Sequence, residues 1–409
     1  METRLVDWIK DTPAGVEADG ILRACVHCGF CLATCPTYRI LGDELDSPRG
    51  RIYQIKQVLE GRPATRETQL HLDRCLTCRN CETTCPSGVE YGHLVDIGRA
   101  AVDSAVRRPW PERTYRWLLR ETLSRPWLFA SAVKLARLFR PVLPAALQAK
   151  VGVSRPCGTV PARTHARKVL VLRNCVQPSL APSIDSATAR VLDALGVQSI
   201  VAASSGCCGS IRHHLNDQAG ALHQVRRNID AWWPAIESGQ VEAVVINASG
   251  CSAMVKEYGH LLREDPRYAA KARRIAEVTR DVAELVPDML ADLPAIRQPV
   301  RVAFHSPCTL QHGLKIRGRI EALLRALGAE LVPVREGHLC CGSAGTYSLL
   351  QPALSGELRQ RKLQALLERQ PATVLSANIG CISHLQAGTA VPVRHWIEWV
   401  DERLTQAAP

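Results

Sequence analysis

Two stretches constrain this chain more than anything else in it. "CVHCGFCLATCP" supplies Cys25, Cys28, Cys31 and Cys35, followed by Pro36, and "CLTCRNCETTCP" supplies Cys75, Cys78, Cys81 and Cys85, followed by Pro86. Both read C-x2-C-x2-C-x3-C-P. Three thiols at two-residue gaps can meet only on a tight loop, and the fourth is carried away on a short helix. The chain has 17 cysteines in 409 residues. Its start, "METRLVDWIKDTP", is charged throughout and has no apolar core of the kind an export signal needs. A disulfide scaffold is therefore not expected, and thiols in a reducing cytosol point to metal ligation or redox chemistry. No run reaches the ~18 apolar residues of a membrane-spanning helix.

The spacing is that of the bacterial ferredoxin run, in which the fourth cysteine ligates the other cluster. By that rule Cys25, Cys28, Cys31 and Cys85 hold one [4Fe–4S] cluster, and Cys75, Cys78, Cys81 and Cys35 hold a second. Structural zinc also uses paired C-x2-C motifs, but the third cysteine and the Cys-Pro, both repeated, favour two cubanes. Between the motifs, "SPRGRIYQIKQVLEG" reads as a capped helix, with Ser47 at the N-cap, Pro48 at N1 and Gly61 as the stop. "TRETQLHLDRC" reads as a second helix. This arrangement resembles the α-helical ferredoxin modules of respiratory iron–sulfur subunits.

The second half is an internal duplication. Cys175, Cys207-Cys208 and Cys251 in one copy answer Cys308, Cys340-Cys341 and Cys381 in the other. In each copy 31 residues separate the first cysteine from the pair. Adjacent cysteines are poor disulfide partners, because a bridge between neighbours strains the backbone. "KVLVLRN", "VQSIVAA" and "VEAVVINA" read as strands. "PSIDSATARVLDALG" and "GRIEALLRALG" read as helices stopped at Gly196 and Gly328. Strand–helix–strand order implies a parallel sheet with helices on its faces. Cys175, Cys251, Cys308 and Cys381 then fall just past the carboxyl ends of strands, where open α/β sheets bind ligands. The expected fold class is α+β multidomain: an α-helical ferredoxin domain (1–105), a basic helical linker (106–165), and two tandem α/β domains with parallel sheets (166–295 and 296–409).

Residues 168 to 400 resemble two tandem "CCG" cysteine-rich domains, the type found in heterodisulfide reductase B subunits. With the ferredoxin module included, nearly the whole chain resembles the glycolate oxidase (glycolate dehydrogenase) iron–sulfur subunits. "SPRGRI", "CLTCRNCETTCPSGVEYG", "CCGSAGTYS" and "ANIGC" carry that likeness. The heterodisulfide-reductase family implies that the adjacent cysteines help hold a non-cubane iron–sulfur cluster. This chain departs from the family pattern, which ends in C-x-x-C: the first copy ends "CSAM" with Met254, and the second "CISH" with His384. Each copy offers four cysteines rather than five. A further iron–sulfur cluster, a structural zinc and free or redox-switching thiols stay open for Cys175, Cys207, Cys208, Cys251, Cys308, Cys340, Cys341 and Cys381. Cys157, in a proline-containing linker, reads as a spare thiol.

No G-x-G-x-x-G opens a helix after a strand, and there is no P-loop. The resemblance implies that substrate is oxidised on FAD in partner dehydrogenase subunits. This chain would then carry electrons singly towards membrane quinone during oxidation of glycolate to glyoxylate, from a cytoplasmic position peripheral to the inner membrane. Siblings serving glycerol-3-phosphate or lactate share the architecture, and a heterodisulfide-reductase-like thiol–disulfide enzyme is the rival of another class. The net charge is +12, and between Ala105 and Lys150 ten Lys or Arg face two Glu. That stretch, with Trp110, Trp117 and Trp127, could lie on an anionic membrane or partner, or could be a connector with a solvated basic face. Nucleic acid is not an expected partner, since no recognised binding module is visible.

Overall fold

Capping decides where the helices around the first cysteine loops begin. In the computed structural model, which describes residues 1–142, 156–290 and 299–407, the chain divides into two compact units. One comprises Met1–Trp117 with His338–Lys362, and the other Leu118–Gly337 with Leu363–Pro409. His338–Lys362, which the sequence places in the second repeat, thus groups with the ferredoxin-like unit. The expected 295/296 boundary between the repeats, and positions 143–155 of the basic stretch, lie outside the described residues.

The first unit is helical. Helices α1 (Pro13–Ala24), α2 (Pro36–Leu41), α3 (Pro48–Leu59), α4 (Arg66–Asp73), α5 (Asn80–Thr84) and α6 (Tyr91–Ala105) surround the two motifs. Ser47 caps α3 by accepting the Gly50 amide at 2.9 Å, and Thr65 caps α4 through the Thr68 amide at 3.1 Å. Pro36, directly after Cys35, starts α2 at a position where its missing N–H costs nothing. Leu22, Ile55, Leu59, Leu72, Leu94 and Val95 are fully buried and form one core. Gly50 is there for space: a Cβ on it would sit 1.9 Å from the Glu44 carbonyl oxygen. The next helices are α7 (Trp110–Ser124) and α8 (Pro126–Leu138).

The second unit holds two parallel sheets. The first contains β1 (Arg167–Val171), β2 (Val197–Ile200), β3 (Ala243–Ile246) and β4 (Thr279–Asp281), in the order β2-β1-β3-β4. The second contains β5 (Val300–His305), β6 (Ala329–Val332), β7 (Thr373–Ser376) and β8 (Val393–His395), in the order β6-β5-β7-β8. The same order twice is the duplication in three dimensions. Helices Pro182–Ala194 (α9) and Arg319–Ala326 (α10) follow β1 and β5. Gly196 and Gly328 end the turns after them at φ of 71° and 87°, where a side chain would be strained.

Sequence reading finds three strands in the first copy, whereas each sheet has four. β4 and β8 are three residues long and lack an apolar run, so they carry no strand signal of their own. His395 ends β8, and the closing helix Trp396–Ala407 (α11) follows it directly. The repeats exchange their last helices. α11 packs on α9, with Ser183 donating to Glu398 at 2.7 Å and Arg190 paired with Asp401 at 2.6 Å. Val282–Met289, after β4, packs on α10 in the same way.

Gly50→Ala should lower the stability of the anaerobically purified protein by about 1–3 kcal/mol, the usual cost of overpacking. Thermal unfolding checks it. An unchanged Tm would mean that the Glu44–Gly50 turn relaxes freely.

Candidate metal centres

The two loops of the first unit bend at matching places. His27 and Gly29 in one, Thr77 and Arg79 in the other, all take positive φ, between 51° and 85°. The bends turn each loop inward, and the Thr77 amide donates to Cys75 Sγ at 3.4 Å. The thiols sort into two sets. Cys25 feels Cys85 and Cys28, and Cys31 feels Cys25. Cys81 feels Cys78, Cys75 and Cys35. Burial, and then neighbouring thiols, push the Cys31 thiol up to about 11 and Cys81 well above its ordinary value. Thiolates this close and this dry need a cationic centre to stay ionised. The donor chemistry therefore fits an iron–sulfur group in each set.

Arg51, from "SPRGRI", is 1% exposed. Its guanidinium donates to the Asp46 carboxylate at 3.0 Å, the His71 carbonyl at 2.7 Å and Thr37 Oγ1 at 3.1 Å, and lies 4.0 Å from Cys35 Sγ. Burial opposes its charge, but Tyr91, Cys75, Cys35 and Asp46 outweigh that and hold it more firmly protonated than usual. Arg74 completes the hub with a 2.8 Å contact to Asp46. Arg99 ties down the second loop through the Leu72 and Cys75 carbonyls, at 2.9 and 2.7 Å. Tyr91 Oη donates to Cys75 Sγ at 3.6 Å. The Tyr347 ring, brought in by the segment 338–362, sits in the field of Arg51, Cys75 and Cys340, and its buried hydroxyl has no hydrogen-bond partner among the described residues.

In the second unit, Cys175, Cys207, Cys208 and Cys251 form a chain of sulfur contacts. Cys207 accepts from Cys175, Cys208 and the Gly209 amide, which hold its thiol below the usual range. The same contacts, with burial, push Cys175 and Cys208 up. Cys175 follows β1 and Cys251 lies in the helix Ser249–Lys256 after β3. β1 and β3 are the neighbours between which the chain reverses its winding, and the crevice at such a switch point is where open sheets bind ligands. Asn228 donates to the Cys207 carbonyl at 3.0 Å and Tyr258 to the Cys208 carbonyl at 2.9 Å. The adjacent pair is thus pinned by its backbone, with both thiols free of a disulfide. Met254 instead packs into the apolar core that also takes in Cys208.

In the second repeat, Cys308 and Cys381 lie in the second unit and Cys340 and Cys341 in the first, all four buried. The Gly342 amide donates to Cys340 Sγ at 3.4 Å. His305, at the end of β5, was missed by motif reading. Its ring and the Cys381 sulfur lie within 4.8 Å, and its Nδ1 is 3.0 Å from Ser376 Oγ, a contact that orients the ring. His384 is buried on the helix Ile379–Gln386. The signal for His305 is an inequality between the copies: the corresponding residue in the first is the buried Leu172.

These sites define the class, an iron–sulfur protein with a ferredoxin-type unit and duplicated cysteine-rich α/β domains. Residues 21–89 match the 4Fe-4S dicluster domain, and residues 169–256 and 302–386 match the cysteine-rich domain. The chain is 52% identical over 409 residues to the glycolate oxidase iron-sulfur subunit of Escherichia coli (strain K12), covering 99% of both chains. It is 28% identical to the probable glycolate oxidase iron-sulfur subunit of Bacillus subtilis (strain 168), covering 90% of this chain and 89% of that one. It is 27% identical to lactate utilization protein A of Geobacillus thermodenitrificans, over 58% of this chain and 99% of that protein. The chain belongs to the family of glycolate oxidase iron–sulfur subunits.

Arg51→Gln should shift one iron–sulfur signal to a more negative potential and leave the other in place, because it removes a buried cation beside Cys35. It should also lower stability, by less than the about 3–5 kcal/mol of a fully broken buried pair, because Asp46 keeps its contact with Arg74. Arg51→Lys should restore most of the potential, since the charge returns without the fork of donors. Potentiometric titration followed by electron paramagnetic resonance separates the two effects.

Proposed function

We propose that this chain is the iron–sulfur electron-transfer subunit of a glycolate dehydrogenase complex. FAD in partner subunits oxidises glycolate to glyoxylate, and this chain takes up the electrons one at a time and delivers them towards membrane quinone. The observation that carries the reading is the position of Cys35, which is felt both by Cys31 of one thiol set and by Cys81 of the other. Two metal centres so closely linked make a wire. Cys25, Cys28, Cys31 and Cys85 are the proposed ligands of one cluster, and Cys75, Cys78, Cys81 and Cys35 those of the other. Bound [4Fe–4S] clusters supply one-electron couples. The chain's own residues bury Cys25, Cys35 and Cys81 and place Arg51 beside Cys35, levers that set a potential. The eight cysteines of the two repeats, Cys157 aside, are proposed to hold further iron–sulfur centres, with zinc as the alternative. We propose residues 1–105 as the ferredoxin domain, 106–165 as the basic linker, and 166–295 and 296–409 as the cysteine-rich domains.

Cys78→Ser should abolish acceptor reduction by the assembled complex while glycolate still bleaches the flavin. Stopped-flow absorbance at the flavin band, with a quinone assay alongside, tests this. Equal loss of both half-reactions in an assembled complex would exclude the division of labour.

Among the described residues no helix is long and apolar enough to cross a membrane. Helix α8 and the turn after it nonetheless expose Trp127, Leu135, Leu138, Phe139 and Val142. Within the helix, Trp127, Leu135 and Leu138 follow helical spacing along one side. Arg125, Lys134 and Arg140 flank them, and no Asp or Glu occurs between Glu121 and Asp185. This supports a peripheral position on an anionic, cytoplasm-facing membrane. Leu135→Glu with Leu138→Glu should cut binding to phosphatidylglycerol vesicles about tenfold, as read by sedimentation. Unchanged binding would remove α8 as the contact.

A further inference from the structure

The two repeats match strand for strand, so a difference at equivalent positions isolates what one site has and the other lacks. His305 ends β5, three residues before Cys308, and Leu172 follows β1, three residues before Cys175. His305 lies opposite Ser376 of β7 in the parallel register. Ser376 stands five residues before Cys381, and Ile246 five before Cys251. All four side chains are buried: His305 is 2% exposed, Leu172 1%, and Ser376 and Ile246 0%. The first copy thus fills this place with an apolar pair. The second fills it with an imidazole and a hydroxyl joined by a hydrogen bond, Nδ1 to Oγ at 3.0 Å.

The apolar pair shows that packing alone does not require polar groups here. Burying them costs free energy that one hydrogen bond between them offsets only in part. Their position supplies the reason. β5 and β7 are the neighbours between which the second sheet reverses its winding, the place where open sheets bind ligands. Cys308 lies in the turn after β5, and Cys381 in the helix Ile379–Gln386 after β7. A ring nitrogen of His305 and the Cys381 sulfur lie within 4.8 Å of each other. Metal–ligand bonds of about 2.0–2.3 Å put a nitrogen and a sulfur on one ion roughly 3.5–4.4 Å apart. The pair is therefore close to the spacing of ligands that share an ion. Ser376 does what the partner of a metal-bound imidazole ordinarily does: it takes the Nδ1 hydrogen, fixes the ring and leaves the lone pair on Nε2. Imidazole nitrogen ligates iron in some iron–sulfur centres and zinc in many sites. His384, where the first copy has Met254, is also buried. Among the described residues, however, the cluster at Cys381 takes in His305 and not His384.

We infer that His305 is a metal ligand through Nε2, on the centre that Cys308 and Cys381 help to hold, and that Ser376 positions its ring. The inference rests on the reading that the cysteines of the second repeat bind metal. It adds to that site a nitrogen that the cysteine motif does not contain, and that Leu172 and Ile246 do not supply in the first repeat.

The test uses the full chain purified without oxygen, with its histidines either unlabelled or carrying the heavy nitrogen isotope. Pulsed electron paramagnetic resonance should show a histidine nitrogen bound directly to an iron–sulfur centre, with a coupling that changes on isotope exchange. His305→Leu with Ser376→Ile recreates the pair that already packs in the first copy, and it should lose that coupling. Ser376→Ala should keep the coupling but alter its value, and His384→Met should leave it unchanged. Where the centre holds zinc, X-ray absorption at the zinc edge reads the same ligand: nitrogen with sulfur in the wild type, and less nitrogen in the double variant. Absence of a directly bound nitrogen from the wild type would overturn the inference, as would its survival in the double variant or its loss in His384→Met. An unchanged coupling in Ser376→Ala would remove Ser376 from the site. Should the double variant lose the whole centre, the wild-type isotope result and His384→Met decide. Failure of the underlying reading is distinct, because the wild-type chain would then hold about eight iron, the content of two cubanes, and no zinc.

Discussion

Thiolates crowded into a dry site repel one another, and most of the first unit is arranged around that repulsion. A metal core neutralises it locally, but the surrounding charge still sets how readily an electron is accepted. Arg51 is the main fixed charge here, buried beside Cys35 and held by Asp46, Thr37 and the His71 carbonyl. A buried ion pair is a poor source of stability, because desolvation offsets most of its attraction. Its retention at the contact of two thiol sets is better explained by the potential it imposes. The helix cap at Ser47 and the close approach at Gly50 serve the same end, since both fix the start of the helix that carries Arg51.

The second unit solves a different problem with the same ligand. A parallel sheet places loops from separate segments at one edge, so cysteines far apart in sequence can meet. Cys175 and Cys251 flank the winding switch of the first sheet, and the adjacent pair Cys207–Cys208 reaches them from the loop after β2. Two adjacent thiols with pinned carbonyls span more of a metal centre than one thiol does. Exchange of the last helices then binds the repeats together: the closing helix of each repeat packs on α9 or α10 of the other.

Much of this was legible in the sequence, for identifiable reasons. The two cysteine runs have fixed spacing, and Ser47, Pro48 and Thr65 start helices by local chemistry, so neither depends on distant contacts. The parallel strands announced themselves as short apolar runs because they are buried on both faces. What escaped depends on tertiary context. β4 and β8 exist because a neighbouring strand offers a ladder, not because "TRD" or "VRH" favours extension. The burial of Arg51 is invisible in a motif that reads as a charged helix start. The grouping of residues 338–362 with the ferredoxin-like unit could not be read from a repeat whose text matches its partner.

The two repeats share a topology but not a chemistry. Where the first copy has Leu172 and Met254, both packed as core, the second has His305 and His384, both buried. A buried imidazole without a partner is costly, and a metal or a hydrogen bond is the usual remedy. His305 has the Ser376 hydroxyl on one side and the Cys381 sulfur within reach. The first copy therefore offers an all-sulfur set in an apolar shell, and the second a mixed nitrogen and sulfur environment. Both copies keep four cysteines, so the imidazoles stand in place of the apolar Leu172 and Met254 and not of a thiolate. What they add is two polar groups at buried positions, which can orient or hydrogen-bond to sulfur where the first copy offers only packing. The duplication therefore preserves the thiols and the strand order and diverges in the groups around them.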